Sequence, residues 1–175
     1  IVNKTISIIG VGPKEKIIIQ SDTVNCVELL GGKPILNGLT LINKNIPNEN
    51  IENNFALRIN DADVFIENCD IIGASLSCIG IHGNSSIGTI KNCIIHDAVQ
   101  NGIHVYEEAS VIVENCQLNN NNYSGIEVVN AKFNVIKCQI TSNGNSGIYI
   151  HSDNNQSGSE GSINQSLIKN NSSGI

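Results

Sequence analysis

The 175-residue chain has no tryptophan, no methionine, only 3% aromatic residues and a single arginine, Arg58. A core of large rings is excluded, so burial must come from small and β-branched side chains. The lysines are scattered and the formal net charge is −6, which argues against a nucleic-acid partner. No apolar run is long enough to span a membrane, so none is expected as a partner. No CxxC or Cys/His pair has zinc-site spacing, and neither a metal nor a cofactor is expected.

What is present is a repeat. Cys69, Cys93, Cys116 and Cys138 follow one another at steps of 24, 23 and 22 residues. Their surroundings read IENCDI, IKNCII, VENCQL and VIKCQI. About ten residues after each comes a second phrase: GIHG (80–83), GIHV (102–105), GIEV (125–128) and GIYI (147–150). Such a period is too short for a strand–helix–strand crossover, which takes roughly 30 residues or more. The apolar residues alternate and are β-branched, as in strands. The pattern predicts an all-β, right-handed parallel β-helix of about six to seven coils of 22–24 residues, each phrase a strand and each repeat a coil.

The repeat extends beyond the cysteines. Leu39 in LNGLTLI (36–42) and Ser166 in SINQSLI (162–168) take the cysteine position, and an earlier half-coil is visible over 4–30. Two longer steps mark inserted loops at 43–54 and 153–162, which often shape a binding rim. The residues before the ladder position (Asn68, Asn92, Asn115, Lys137, Gln165) are expected at sharp corners, where asparagine tolerates left-handed backbone. Asparagine richness has a second reading, an AT-rich genome. The whole of 1–175 reads as one β-helix domain. Because the chain lacks an initiator Met and stops inside a repeat, it is expected to be a piece of a longer protein.

In-register residues on neighbouring parallel strands lie ~4.8 Å apart with parallel side chains, a poor geometry for a disulfide. Buried thiols are expected instead, and a reduced ladder points to the cytoplasm. Sequons such as Asn84-Ser85-Ser86 point the other way, but a chain this rich in Asn and Ser produces them by chance.

Aligning the second strands on their glycine gives one outward column: Glu28, Arg58, His82, His104, Glu127 and Tyr149. The next is Asn60, Asn84, Tyr106, Val129 and His151. This sheet face is either an ordinary solvated surface or a groove for an extended ligand running along the helix axis. Under the second reading Arg58, His82, His104, Tyr106, Glu127, Tyr149 and His151 form the ligand site. Zinc on His82, His104 and Glu127 is not favoured.

The I-x-N-C-x-I…G-I-x-V grammar resembles the right-handed parallel β-helix repeats of the pectin-lyase-like superfamily over nearly the whole chain. That superfamily includes polysaccharide lyases, galacturonan hydrolases and epimerases. It also includes intracellular, non-catalytic members of the SHC SH2-domain-binding protein 1 (nessun dorma) and F-box 11 groups. The short coils and cysteine ladder look more like the intracellular type.

A lyase resemblance would imply stacked aspartates for calcium. Yet positions matching Asp70 are Ile94, Gln117 and Gln139, and those matching Asp97 are Gly73, Asn120 and Ser142. The hydrolase motifs N-T-D, D-D and R-I-K do not occur, and Arg58-Ile59-Asn60 lacks the final lysine. Glu67 and Glu114 stand two coils apart, but Lys91 lies between them in what reads as a solvated charge stripe. No catalytic residue is assigned. The expectation is a non-catalytic recognition scaffold binding a protein partner or a glycan along one sheet face. The alternative is a carbohydrate-active enzyme of the same superfamily.

Overall fold

The computed structural model describes residues 1–2, 4–44, 54–153 and 158–175. It is an all-β, right-handed parallel solenoid of about six coils, almost without helix. The first coil consists of β1 (Ser7–Ile9), a 3-10 turn at Lys14–Lys16, β2 (Ile18–Ser21) and β3 (Val27–Leu30). The second is β4 (Ile35–Asn37), β5 (Thr40–Asn43) and β6 (Leu57–Asn60), and the third β7 (Asp63–Glu67), β8 (Asp70–Ala74) and β9 (Ile79–His82). The fourth is β10 (Ile87–Lys91), β11 (Ile94–Ala98) and β12 (Ile103–Tyr106), and the fifth β13 (Ser110–Glu114), β14 (Gln117–Asn119) and β15 (Ile126–Val129). Then come β16 (Lys132–Ile136), β17 (Gln139–Thr141) and β18 (Ile148–His151), followed by β19 (Glu160–Asn164) and β20 (Leu167–Lys169).

Each of the first six coils therefore has three strands, not the two expected from the two phrases. The strands assemble into a first sheet of seven (β1, β4, β7, β10, β13, β16, β19), a second of seven (β2, β5, β8, β11, β14, β17, β20) and a third of six (β3, β6, β9, β12, β15, β18). The third strand arises because each cysteine phrase is bent in its middle. Asn68, Asn92, Asn115, Lys137 and Gln165 all have φ between 51° and 54°. That single left-handed residue breaks the phrase into a strand on the first sheet and another on the second. Gly38 makes the same corner in the second coil, with φ 69°.

The ladder position follows each corner and points inward. Cys69, Cys93, Cys116 and Cys138 are buried, and all six cysteines are free thiols. Each ladder thiol donates to the carbonyl two residues back, as in Cys93 Sγ to Lys91 O at 3.1 Å and Cys116 Sγ to Glu114 O at 3.3 Å. Ser166 Oγ does the same with Asn164 O at 3.0 Å. Each of these carbonyls also accepts a backbone N–H from the coil before, so the ladder donor adds a second hydrogen bond at the corner, and Leu39 fills the position without one. Hydrogen bonds along the ladder, together with burial, push the Cys93 and Cys138 thiols up.

Around the ladder the core is stacked in register. Ile66, Ile90, Val113 and Val135 line up from one sheet, Ile71, Ile95, Leu118 and Ile140 from the second, and Ile59, Ile81, Val105 and Val128 from the third. All are fully buried. Each such side chain contributes about 1.5–3 kcal/mol by leaving water.

A second interior ladder was not anticipated. Asn121, Asn143 and Asn171 stack inside the corner after the second sheet, with Nδ2–Oδ1 bonds of 2.9 Å between successive copies. Each Oδ1 also accepts the backbone N–H of the coil before, from Ala98, Asn121 and Asn143. These amides form a hydrogen-bonded ladder inside the coil. At the corner before the ladder position only Asn115 bonds its copy, Asn92, at 2.6 Å, while Asn92 donates to Glu67.

Of the inserted segments, Asn43 closes β5 and Glu160–Ser162 open β19, while 45–53 and 154–157 lie outside the described residues. No described helix is long and apolar enough to cross a membrane.

Cys93→Val and Cys116→Val are near-isosteric and should each cost no more than ~1.5 kcal/mol, whereas Cys→Asp at either site should unfold the chain by burying an unpaired charge. Thiol labelling of the native protein checks their placement, and both positions should react only on unfolding. At the corners, Lys137 holds a left-handed backbone that asparagine adopts more readily. Lys137→Asn should therefore raise stability in denaturant melts, by about 0.5–1 kcal/mol.

Candidate functional site

The outward columns of the third sheet follow from its register. Glu28 pairs with Arg58, Arg58 with Gly80, Gly80 with His104, His104 with Glu127, and Glu127 with Tyr149. The neighbouring column runs Leu30, Asn60, His82, Tyr106, Val129 and His151. His82 thus belongs to the second column, beside Tyr106, and Asn84 lies past the end of β9. The glycine phrases misled the alignment. Counting nine residues from each ladder cysteine reaches Gly102, Gly125 and Gly147, but from Cys69 it reaches Cys78.

Gly102, Gly125 and Gly147 are needed because a Cβ would press on the carbonyl of the next coil or a buried side chain. Gly80 is glycine for a different reason: a Cβ there would lie 2.6 Å from the Phe55 ring.

The Phe55 ring covers Gly80 in the column between Arg58 and His104. A hollow of about 400 Å³ opens there, lined among others by Phe55, Arg58, Ser77, His82, His104 and Tyr106. Arg58 Nε donates to His82 Nε2 at 3.0 Å, and its Nη1 pairs with Glu28 Oε1 at 3.0 Å. His82 Nε2 must then be an acceptor, so the ring is neutral with its proton on Nδ1, 3.4 Å from Glu107 Oε2. Burial and the Arg58 guanidinium both hold the His82 pKa below its ordinary value. The Ser86 hydroxyl, donating to the His82 carbonyl, fixes the end of the strand.

The rings form a row. His82 stacks on Tyr106 with centroids 5.1 Å apart and planes within 8°, and His104 stacks on Tyr106 at 4.5 Å. Tyr106 is thus stacked against two imidazoles, and burial raises its hydroxyl pKa. Tyr149 stacks only on His151, at 4.8 Å, and is 41% exposed. Of the two candidate tyrosines, Tyr149 is the one that offers an open ring.

Glu127 organises the lower part of the face. It accepts from Asn101 Nδ2 at 2.6 Å and meets His151 Nε2 at 3.2 Å and His104 Nε2 at 3.7 Å. Desolvation lowers the His104 pKa despite the carboxylate. The seven candidate residues therefore all stand on the third sheet. Arg58 and His82 are joined directly, and His104, Glu127 and His151 form one cluster with Tyr106 and Tyr149 packed on its imidazoles.

The first-sheet carboxylates are arranged otherwise. Glu67, Lys91 and Glu114 share a column, with Lys91 Nζ 2.8 Å from Glu114 Oε2. That contact raises the Lys91 pKa and lowers that of Glu114. Among the described residues no cluster of three His, Cys, Asp or Glu side chains is arranged to hold a metal ion.

Sequence reasoning missed a cluster on the second sheet. His96 has Nδ1 2.7 Å from Asp97 Oδ2 and Nε2 3.2 Å from Asp70 Oδ1. The two nitrogens point to different carboxylates, which suits an imidazolium donating twice and not a single metal ion. The signal was the His-Asp pair one coil below Asp70, an offset visible only once the second sheet is registered.

A family model described as right-handed β-helix region matches residues 11–137. No curated protein and no solved structure gives a significant match.

Hydrogen bonds donated by His96 to Asp70, and then to Asp97, raise the His96 pKa. A group whose folded pKa is raised stabilises most below its unfolded value, near 6.5, and that contribution is lost as pH rises through the folded value. An NMR titration should place His96 above 6.5 and His82 and His104 below it. Asp70→Asn should bring His96 down and reduce the stability gained on acidification from pH 8 to 6.

Proposed function

We infer that this chain, which belongs to the family of right-handed β-helix regions, is a non-catalytic scaffold that recognises an extended ligand along its third sheet. The observation that carries the reading is the set of imidazole and phenol rings on that sheet, one stack of His82, Tyr106 and His104 and another of Tyr149 and His151, joined through Glu127. It is fixed by strand register and lies beside a hollow lined by both apolar and hydrogen-bonding groups. A rigid backbone with neutral acceptors, a carboxylate and an open tyrosine ring suits recognition of a protein segment or a glycan. Six free thiols support a reducing compartment, and with it the cytoplasmic location and the likeness to the SHC-binding and F-box 11 type.

Absence of turnover is argued from the carboxylates. Glu67 and Glu114 are separated by Lys91, and Glu127 is engaged by Asn101 and His151. The alternative, a carbohydrate-active enzyme, draws on one observation: Glu127 lies within reach of two imidazoles, a setting for acid–base chemistry.

Tyr149→Ala should weaken ligand binding by about 1–3 kcal/mol with little change in melting temperature, as measured by titration calorimetry with captured partner or glycan. Single amide replacements of Glu67, Asp70, Asp97, Glu114 and Glu127 should leave any turnover by the whole protein within a few-fold. A hundredfold loss at Glu127 with folding intact would favour the enzyme.

A further inference from the structure

We propose that the lower part of the third-sheet face, from Glu107 through Glu127 to Asp153, docks an extended protein segment bearing lysine or arginine. The proposal rests on the recognition reading above and names its partner class.

Charge complementarity selects this partner. The one arginine on the face, Arg58, stands above this region and is paired with Glu28 at 3.0 Å. Below it the carboxylates come one per coil, and each is opposed by histidine: Glu107 by His82 at 3.4 Å, Glu127 by His151 at 3.2 Å and His104 at 3.7 Å, and Asp153 by His151 at 3.9 Å. The Arg58–His82 hydrogen bond requires His82 to be neutral, so it leaves the charge of Glu107 uncompensated. His104, facing Glu127, His151, Asp153 and His82, has its charged form disfavoured by desolvation. At neutral pH the region therefore presents negative charge on a surface of rings.

Such a surface rejects an anionic chain, a polyuronate included, and suits a cationic one. An ammonium or guanidinium can sit over the open Tyr149 ring while bonding Glu127 or Asp153. Glu107 and Asp153 stand three and four residues past the Glu127 column, so the carboxylates are offset along the strands as well as by one coil along the axis. Alternate side chains of an extended segment along the axis are ~6.7 Å apart, within reach of long flexible side chains. Within the hollow above, Ser77 is 1% exposed and its hydroxyl has no hydrogen-bond partner, so a polar group of the same segment could be received there. The histidines add a sign. Protonating His104 neutralises Glu127 and places positive charge on the face, so a basic partner is released in acid.

The test uses the full chain and three probes: a labelled peptide of alternating lysine and serine, its glutamate counterpart, and maltohexaose. The lysine peptide should bind and the glutamate peptide should not. Glu127→Gln and Tyr149→Ala should each raise its Kd about tenfold, while Glu67→Gln and Glu114→Gln, on the first sheet, stay within twofold. Affinity should fall from pH 7.5 to 5.5 and with added salt. Equal losses from Glu67→Gln and Glu127→Gln would reveal attraction to overall charge alone and overturn the proposal. Binding of maltohexaose or of the glutamate peptide that depends on Tyr149, without binding of the lysine peptide, would overturn it and leave the recognition face standing. If none of the three probes depends on Tyr149, both fail.

Discussion

A coil of this size has to turn its chain through a tight corner without losing step with the coil before it. The chain does this with one left-handed residue, placed immediately before the ladder position in coil after coil. A left-handed backbone at an L-residue other than glycine or asparagine costs roughly 1–2 kcal/mol, so three asparagines in a row at the corner are a conformational choice. Lys137 and Gln165 occupy the same conformation near the end of the chain. Their presence shows that in-register stacking of the neighbouring coils can impose the corner where the side chain does not favour it. The corner sets which residues turn inward, the inward residues set the register, and the register decides which outward side chains meet.

The thiols and the interior amides serve that constraint. The strand entering the first corner ends on a carbonyl that accepts a backbone N–H from the coil before, and a small donor at the ladder position adds a second bond to it. Sulfur does this for Cys69, Cys93, Cys116 and Cys138, and oxygen for Ser166. The second corner solves the same problem with Asn121, Asn143 and Asn171, whose amides bond both to one another and to the backbone. Burying polar atoms is tolerable here because each one is paired.

The repeat period, the inward cysteines and the corner residues were legible in the sequence because they recur at a fixed offset. The three-strand coil was not, because IKNCII reads as one apolar phrase and only a positive φ at Asn92 divides it. The seven candidate residues do share the third sheet, but His82 was aligned to the wrong column. The phrases GIHG and GIHV look alike, yet Gly80 answers to Phe55 whereas Gly102 answers to the next coil's backbone. Counting from Cys69 would have brought His82 beside Tyr106. The pairing of His96 with Asp70 and Asp97 needed both the second-sheet register and the corner at Asp97, and no single phrase carries it.

Register is consequently the claim on which both the fold and the recognition face stand. Through-space NMR contacts between aromatic side chains test it most directly. Ring protons of His82 should show cross-peaks to Tyr106 on the next coil, with His82 in the neutral form protonated at Nδ1 at pH 7. If His82 instead showed no contact with Tyr106 and carried its proton on Nε2, the Arg58–His82 bond would be absent and the register of the third sheet would be contradicted.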